Sequence, residues 1–235
     1  MVYIFILIYS LLFIVLLPMG LIINTFSKKM AKSLVFSLAK GFSKGILCLS
    51  GIKVEVEGLE NIPDENALYV SNHQSNLDPF LFMAFLPKKI AYIAKIETKK
   101  IPIFYQWMQI MGCLFIDRKD IRQSLRVIQN GTEILKNGGD LGIFPEGTRS
   151  VDGKILPFKA GSLKMAIKAQ KTIVPIMIDG SYRLMDKGSI IVRPNLVKVK
   201  VLEKISVDII NQSDSKSLIA KIEEKIKDNL MQDVN

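Results

Sequence analysis

Residues 67–82 read Ala67-Leu68-Tyr69-Val70-Ser71-Asn72-His73-Gln74-Ser75-Asn76-Leu77-Asp78-Pro79-Phe80-Leu81-Phe82. Three regimes follow one another within this stretch. The opening run is uncharged and apolar, which predicts a buried strand at 67–71. The polar residues from Asn72 to Asn76 break it and read as a loop. Asp78-Pro79 then precedes an apolar run, with a carboxylate at the capping position and proline at the first helical one, so a helix is expected over 79–86. A buried strand that passes through a polar loop into a helix is the repeating unit of an α/β sheet.

The same alternation extends outward from residue 52. Short apolar runs predict strands at 53–57, 67–71, 90–95, 113–117, 140–144, 173–178 and 197–203, and helical periods fall at 79–86, 101–111, 120–137, 160–170 and 215–231. The expected fold class is α/β, with a mixed, largely parallel sheet flanked by helices. Ligands of such sheets gather in the loops at the carboxyl ends of the strands. Internal repeats, low-complexity tracts and long linkers are absent from the sequence.

Toward the N-terminus the pattern changes. The chain has 235 residues, enough for one sizeable domain and a short appendage, and its mean hydropathy of +0.27 implies that part of it meets lipid. Residues 2–23 carry no charge. As a helix they would be about 33 Å long, close to the thickness of a bilayer's hydrocarbon core. A cleaved signal peptide is the rival reading, but a basic leading region and a small-residue cleavage site are both missing. Pro18 and Gly20 leave a kinked, re-entrant or monotopic insertion open. Residues 28–49 read as a second helix, with Met30, Leu34, Leu38, Phe42 and Ile46 recurring every fourth residue and Lys29, Lys32, Lys40 and Lys44 opposite. That pattern fits a helix in the membrane interface or one packed on the domain. The division expected is an N-terminal membrane anchor at 1–50 and a catalytic domain at 51–235.

The formal net charge is +10, and residues 1–50 contain five lysines and no acidic residue. A basic excess beside a hydrophobic segment favours anionic lipid headgroups as partners. Neither zinc-finger spacing nor an aromatic RNA-binding signature is present, so no nucleic-acid partner is expected. Because the lysines follow the apolar run, the rest of the chain is expected on the cytoplasmic face of the cell membrane. One histidine and two separate cysteines, Cys48 and Cys113, assemble no N/S metal site, so no metal is expected.

Two constellations carry chemistry. His73, the only histidine, lies in the polar loop at a strand's end with Asp78 five residues on. Imidazole is the side chain whose ordinary pKa suits accepting and returning a proton near neutral pH. A carboxylate on its far nitrogen would fix the tautomer. Asp78 is equally well explained as a helix cap. The second constellation is Phe144-Pro145-Glu146-Gly147-Thr148-Arg149-Ser150, after the strand at 140–144. Its hydroxyls, glycine and arginine suit a phosphate cradle; a surface turn with a Glu146–Arg149 salt bridge is the alternative. Arg118 follows another predicted strand and Lys95 ends a third.

In order along the chain, these segments resemble the glycerolipid acyltransferase family, in particular the bacterial 1-acylglycerol-3-phosphate acyltransferases. Asn72, His73 and Asp78 match its first block, Gly112 through Arg118 its second, 144–150 its third without a mismatch, and the Val174-Pro175 strand through Gly180 its fourth. The resemblance covers roughly residues 50–182. Asn76 stands where many relatives carry tryptophan. The resemblance implies transfer of a fatty acyl group from an acyl thioester, acyl-CoA or acyl-carrier protein, to the sn-2 hydroxyl of lysophosphatidic acid, giving phosphatidic acid for phospholipid biosynthesis. No cofactor beyond that co-substrate is implied. In this reading His73 is the general base and Asp78 orients it. Lys95, Arg118 and Arg149 hold the acceptor phosphate, Glu146 positions the acceptor or anchors Arg149, and the stretch Gly147-Thr148 supplies backbone amides to the oxyanion. A different acceptor, such as glycerol 3-phosphate or another lysolipid, and a non-catalytic membrane-tethered lipid-binding protein are the other two readings.

Overall fold

Strands and helices alternate through most of the computed structural model, which describes residues 2–150, 152–186, 188–189 and 191–232. The strands among the described residues are β1 (Lys53–Glu57), β2 (Leu68–Ser71), β3 (Ile90–Lys95), β4 (Leu114–Ile116), β5 (Asp140–Ile143), β6 (Ile173–Asp179) and β7 (Leu196–Val201). The helices are α1 (Val2–Phe26), α2 (Lys28–Leu49), α3 (Asp78–Phe85), α4 (Phe104–Met111), α5 (Ile121–Lys136), α6 (Lys164–Ala169), α7 (Val207–Asn211) and α8 (Ser215–Gln232).

The strands form one sheet in the order β1-β7-β6-β2-β5-β3-β4. Every pairing is parallel except β6 with β7. The sheet is therefore mixed and largely parallel, as the alternation of strands and helices implies. The central strands are buried on both faces: all four residues of β2 are buried, as are the first six of β6. Pro175 is tolerated inside β6 because the antiparallel ladder is interrupted there. The register is Ile176 opposite Val201 on one side of it and Ile173 opposite Ile205 on the other, a slip of one residue.

Three local details differ from the sequence reading. Helix α3 begins at Asp78 itself, with Leu77 as its cap, and Asp78's side chain makes no capping bond. Helix α4 starts at Phe104 rather than 101, because Ile103 has φ +68°, a conformation a β-branched residue cannot carry into a helix. Helix α7 was not expected; five residues are too few to show a period.

The N-terminal helices are joined to the sheet's helical layer. Ala31, Val35, Phe36, Ser43, Ile46 and Leu47 of α2 are buried and, Ser43 apart, belong to the same apolar core as the sheet. This buried face is rotated from the stripe read from the sequence: Met30 is exposed, while Phe36, misplaced among the lysines on a helical wheel, points inward with the Lys32 ammonium over its ring. Helix α1 packs along α2 through glycines. The Phe5 ring occupies the space a Cβ at Gly45 would need, and Tyr9 lies over Gly41. Phe5, Tyr9 and Phe13 of α1, Phe42 of α2, Phe80 of α3 and Trp107 of α4 form one chain of ring contacts. The Trp107 indole N–H donates to the Phe13 carbonyl at 3.1 Å, and its ring packs at Gly20, the one buried residue of α1. These contacts are spread from Phe5 to Gly20, so the domain lies alongside α1 for most of its length.

A side chain at position 45 has to displace Phe5. The Gly45→Val variant is expected to lose about 1–3 kcal/mol of stability, read as a lower Tm in detergent, with earlier cleavage of α1 in limited proteolysis; an unchanged Tm and digestion pattern would mean that α1 is not held by this contact.

Candidate active site

Strand β2 lies mid-sheet between β5 and β6, and all three run in the same direction. The loops that follow them therefore open side by side at one edge of the sheet, although they are far apart in sequence. The β2 loop is fastened first. The Asn72 side chain donates to the Ile178 carbonyl at 2.7 Å and accepts from the Ile178 N–H at 2.8 Å, extending the pairing with β6 one step beyond the end of β2.

His73 comes next, and its Nδ1 lies 2.8 Å from Asp78 Oδ2. A carboxylate only accepts, so Nδ1 of the neutral ring carries the proton and Nε2 keeps its lone pair. The imidazole is 18% exposed and Asp78 fully buried. Phe144 lies against the imidazole face, centroids 4.2 Å apart and planes 22° from parallel. Tyr92 is almost parallel to Phe144 in turn. Gly142 makes room for this stack, since a Cβ there would stand 2.9 Å from the Tyr92 ring.

The buried Asp78 carboxylate is satisfied from two further directions. Oδ2 also accepts from the N–H groups of Gln74 at 2.8 Å and Ser75 at 2.9 Å. Oδ1 accepts from the Ser181 hydroxyl at 2.6 Å. The choice between capping and orienting the imidazole is thus resolved: the carboxylate binds its own loop and the imidazole.

Glu146 does not pair with Arg149. Its carboxylate turns inward, Oε1 accepting from the His73 N–H at 2.7 Å and Oε2 from the Leu156 N–H at 3.0 Å. The Ser150 N–H donates to the His73 carbonyl at 2.8 Å, so the loop after β5 holds both main-chain groups of His73. Burial pushes the Glu146 carboxyl up to about 7, against the pull of its two N–H donors.

Cations gather beside Gly147, which has φ +74°. A Cβ there would stand 2.8 Å from Lys159 Nζ and 3.2 Å from Arg118 Cζ. Lys159 was not singled out in the sequence; it lies in an irregular stretch with no motif to mark it, and its N–H is tied to the Pro145 carbonyl at 3.1 Å. Arg118, Arg149 and Lys159 form no ion pair among the described residues. Burial draws the Arg118 pKa down, with Glu97 opposing it. Lys95 is differently placed, bound to Glu97 at 3.2 Å on the surface. Thr148 is exposed. The Gly147 N–H is taken by the Phe144 carbonyl at 3.1 Å and is not free for an oxyanion. Ser181 was also missed, because its nearest motif residues end at Gly180 and only the turn after β6 brings it under Asp78.

Residues 53–179 match the family model described as Acyltransferase. The probable 1-acyl-sn-glycerol-3-phosphate acyltransferase of Mycoplasma pneumoniae is 39% identical over 145 residues, covering 60% of this chain and 54% of that protein. The 1-acyl-sn-glycerol-3-phosphate acyltransferase of Borreliella burgdorferi is 30% identical over 194 residues, covering 82% of this chain and 78% of that protein. The chain thus spans about half the length of the first relative and most of the second. Among solved structures, the 1-acyl-sn-glycerophosphate acyltransferase PlsC of Thermotoga maritima superposes with a TM-score of 0.79 at 31% identity, covering 99% of this chain and 97% of that one.

The raised Glu146 carboxyl has a consequence for stability. Its native form favours the proton, so the stability it contributes is complete below its ordinary value of 4.5 and declines as pH rises toward about 7. Across that window the wild type is expected to lose up to about 3 kcal/mol relative to Glu146→Gln. Parallel melting curves of the two proteins against pH would reject this account of Glu146.

Proposed function

The chain belongs to the acyltransferase family, and on that premise we propose that it moves a fatty acyl group from an acyl thioester to the sn-2 hydroxyl of 1-acylglycerol 3-phosphate, forming phosphatidic acid. The donor thiol is that of coenzyme A or of an acyl-carrier protein. The observation that carries the reading is an imidazole with Nδ1 bound to a buried carboxylate and Nε2 unoccupied, on a loop that Glu146 ties to the turn where Arg118 and Lys159 stand beside Gly147.

In the proposed reaction, His73 Nε2 takes the acceptor's hydroxyl proton as its oxygen bonds to the thioester carbonyl carbon. Asp78 holds Nδ1–H and stabilises the imidazolium as it forms. The tetrahedral adduct collapses by breaking the carbon–sulfur bond, and the departing thiolate recovers the proton from Nε2. The products are an ester and a free thiol, with no covalent enzyme intermediate. The phosphate of the acceptor is assigned to Arg118 and Lys159 beside Gly147, with Arg149 from the same turn. Lys95 acts at longer range, since Glu97 already holds it. The amides of Thr148 and Arg149, which donate to no group among the described residues, are the candidates for the oxyanion.

Helix α1 is the one described helix long and apolar enough to cross a membrane. The domain lies along its inner side, so we place it within one leaflet, with Ile4, Ile8, Leu11, Val15 and Ile22 toward lipid. Lys28, Lys29, Lys40 and Lys44 then meet headgroups on the cytoplasmic face, while Lys32 is turned inward over Phe36. An acceptor that is itself a lipid could reach His73 laterally, without its acyl chain entering water at about 0.8 kcal/mol per methylene.

Purified protein in detergent, given radiolabelled 1-acylglycerol 3-phosphate with acyl-CoA or acyl-carrier protein, is expected to form phosphatidic acid. His73→Ala should lower turnover by at least about a hundredfold with an unchanged circular dichroism spectrum. Lys159→Ala and Arg118→Ala should each raise the acceptor KM by about 10- to 100-fold. Acylation of glycerol 3-phosphate or a different lysolipid instead would move the assignment within the family, and an active His73→Ala would end the general-base role.

For the membrane reading, Leu11→Glu combined with Val15→Glu should weaken flotation with phosphatidylglycerol vesicles by at least about tenfold while leaving turnover on detergent-solubilised acceptor intact. Undiminished flotation would place the lipid contact elsewhere.

A further inference from the structure

The strand β6 ends in Asp179-Gly180-Ser181, and its turn does something no sequence motif marks. Gly180 has φ +84°, and a Cβ on it would stand 2.5 Å from the Leu196 carbonyl oxygen. Only glycine fits there without strain. The turn it permits carries Ser181 beneath the β2 loop, where the residue is fully buried. The serine hydroxyl lies 2.6 Å from Asp78 Oδ1 and 3.4 Å from the Gln74 side-chain oxygen. The shorter contact takes the proton, so Ser181 donates to Asp78.

Asp78 Oδ2 has three donors, the imidazole and the amides of Gln74 and Ser75. Oδ1 has Ser181 as its donor among the described residues. A buried carboxylate oxygen without a donor is costly and free to turn. Turning about its own axis would carry Oδ2 off the imidazole. We propose that Ser181 is a positioning residue of the acyl-transfer site, completing a Ser181–Asp78–His73 relay that locks the carboxylate and thereby the imidazole. The inference rests on the general-base reading of His73. It gives the fourth matching segment of the chain, otherwise a buried strand, a part in the chemistry.

The relay also sets how strongly Asp78 attracts a protonated imidazole. Without the hydroxyl the carboxylate turns off the ring and the imidazolium loses part of its partner's charge. Asp78 from α3 touches the ring and Glu146 from the loop after β5 holds its main chain; Arg118 and Lys159 stand beside Gly147, next to Glu146. All four remain in a Ser181 variant, so any change between variant and wild type belongs to the hydroxyl.

His73 is the only histidine, so its ring signals in an NMR titration are unambiguous. Ser181→Ala, and Ser181→Cys as a variant that keeps the volume with a much weaker donor, are expected to lower kcat by about 10- to 100-fold. The acceptor KM should stay near its wild-type value, and the His73 titration midpoint should move to lower pH. Ser181→Thr, which keeps the hydroxyl, should restore both. Wild-type kcat and midpoint in the folded alanine or cysteine variant would overturn the relay. So would a loss of kcat with an unmoved midpoint, which marks a packing role alone. If wild type forms no ester, the acyl-transfer reading itself has failed, and if His73→Ala stays active, the general-base role has; both outcomes are separate from these.

Discussion

A carboxylate with no access to water must find its donors in the protein, and much of this site is arranged around that need. Asp78 is buried at the start of α3, and its two oxygens collect the imidazole, two amides of its own loop and the Ser181 hydroxyl. These donors come from the loops after β2 and β6. Glu146, from the loop after β5, holds the main chain of His73 in the same way. Two buried carboxylates thus tie three loops into one surface that fixes the His73 imidazole.

The sheet order makes this economy of parts possible. With β2 between β5 and β6, residues separated by more than half the catalytic domain stand side by side at its carboxyl edge. The Asn72 side chain extends the ladder past the last residue of β2, and Gly142 and Gly180 clear space for Tyr92 and for the Ser181 turn. Arg118 and Lys159 stand beside Gly147, in the turn whose Glu146 holds the main chain of His73.

The N-terminal helices add a second constraint. Helix α1 exposes one apolar side and buries the other in ring contacts that reach α3 and α4. Asp78 begins α3 and Phe80 lies two residues later, so the apolar N-terminal helix and the His73–Asp78 pair are mechanically close.

The sequence by itself determined the elements. Each strand and long helix has a local period or a local breaker, and both act on neighbouring residues, so 53–57, 90–95 or 120–137 could be read one segment at a time. It also marked His73, Asp78 and 144–150, through the chemistry of the lone histidine and the order of the matching motifs. What it left open was set by contacts distant along the chain. The inward turn of Glu146, the rotation of α2's buried face, and the placement of Lys159 and Ser181 depend on which elements are neighbours. Strand order is fixed by packing the whole chain around one core, a free energy to which no single segment holds the key. A hydroxyl two residues past a buried strand has no signature until that packing puts a carboxylate above it.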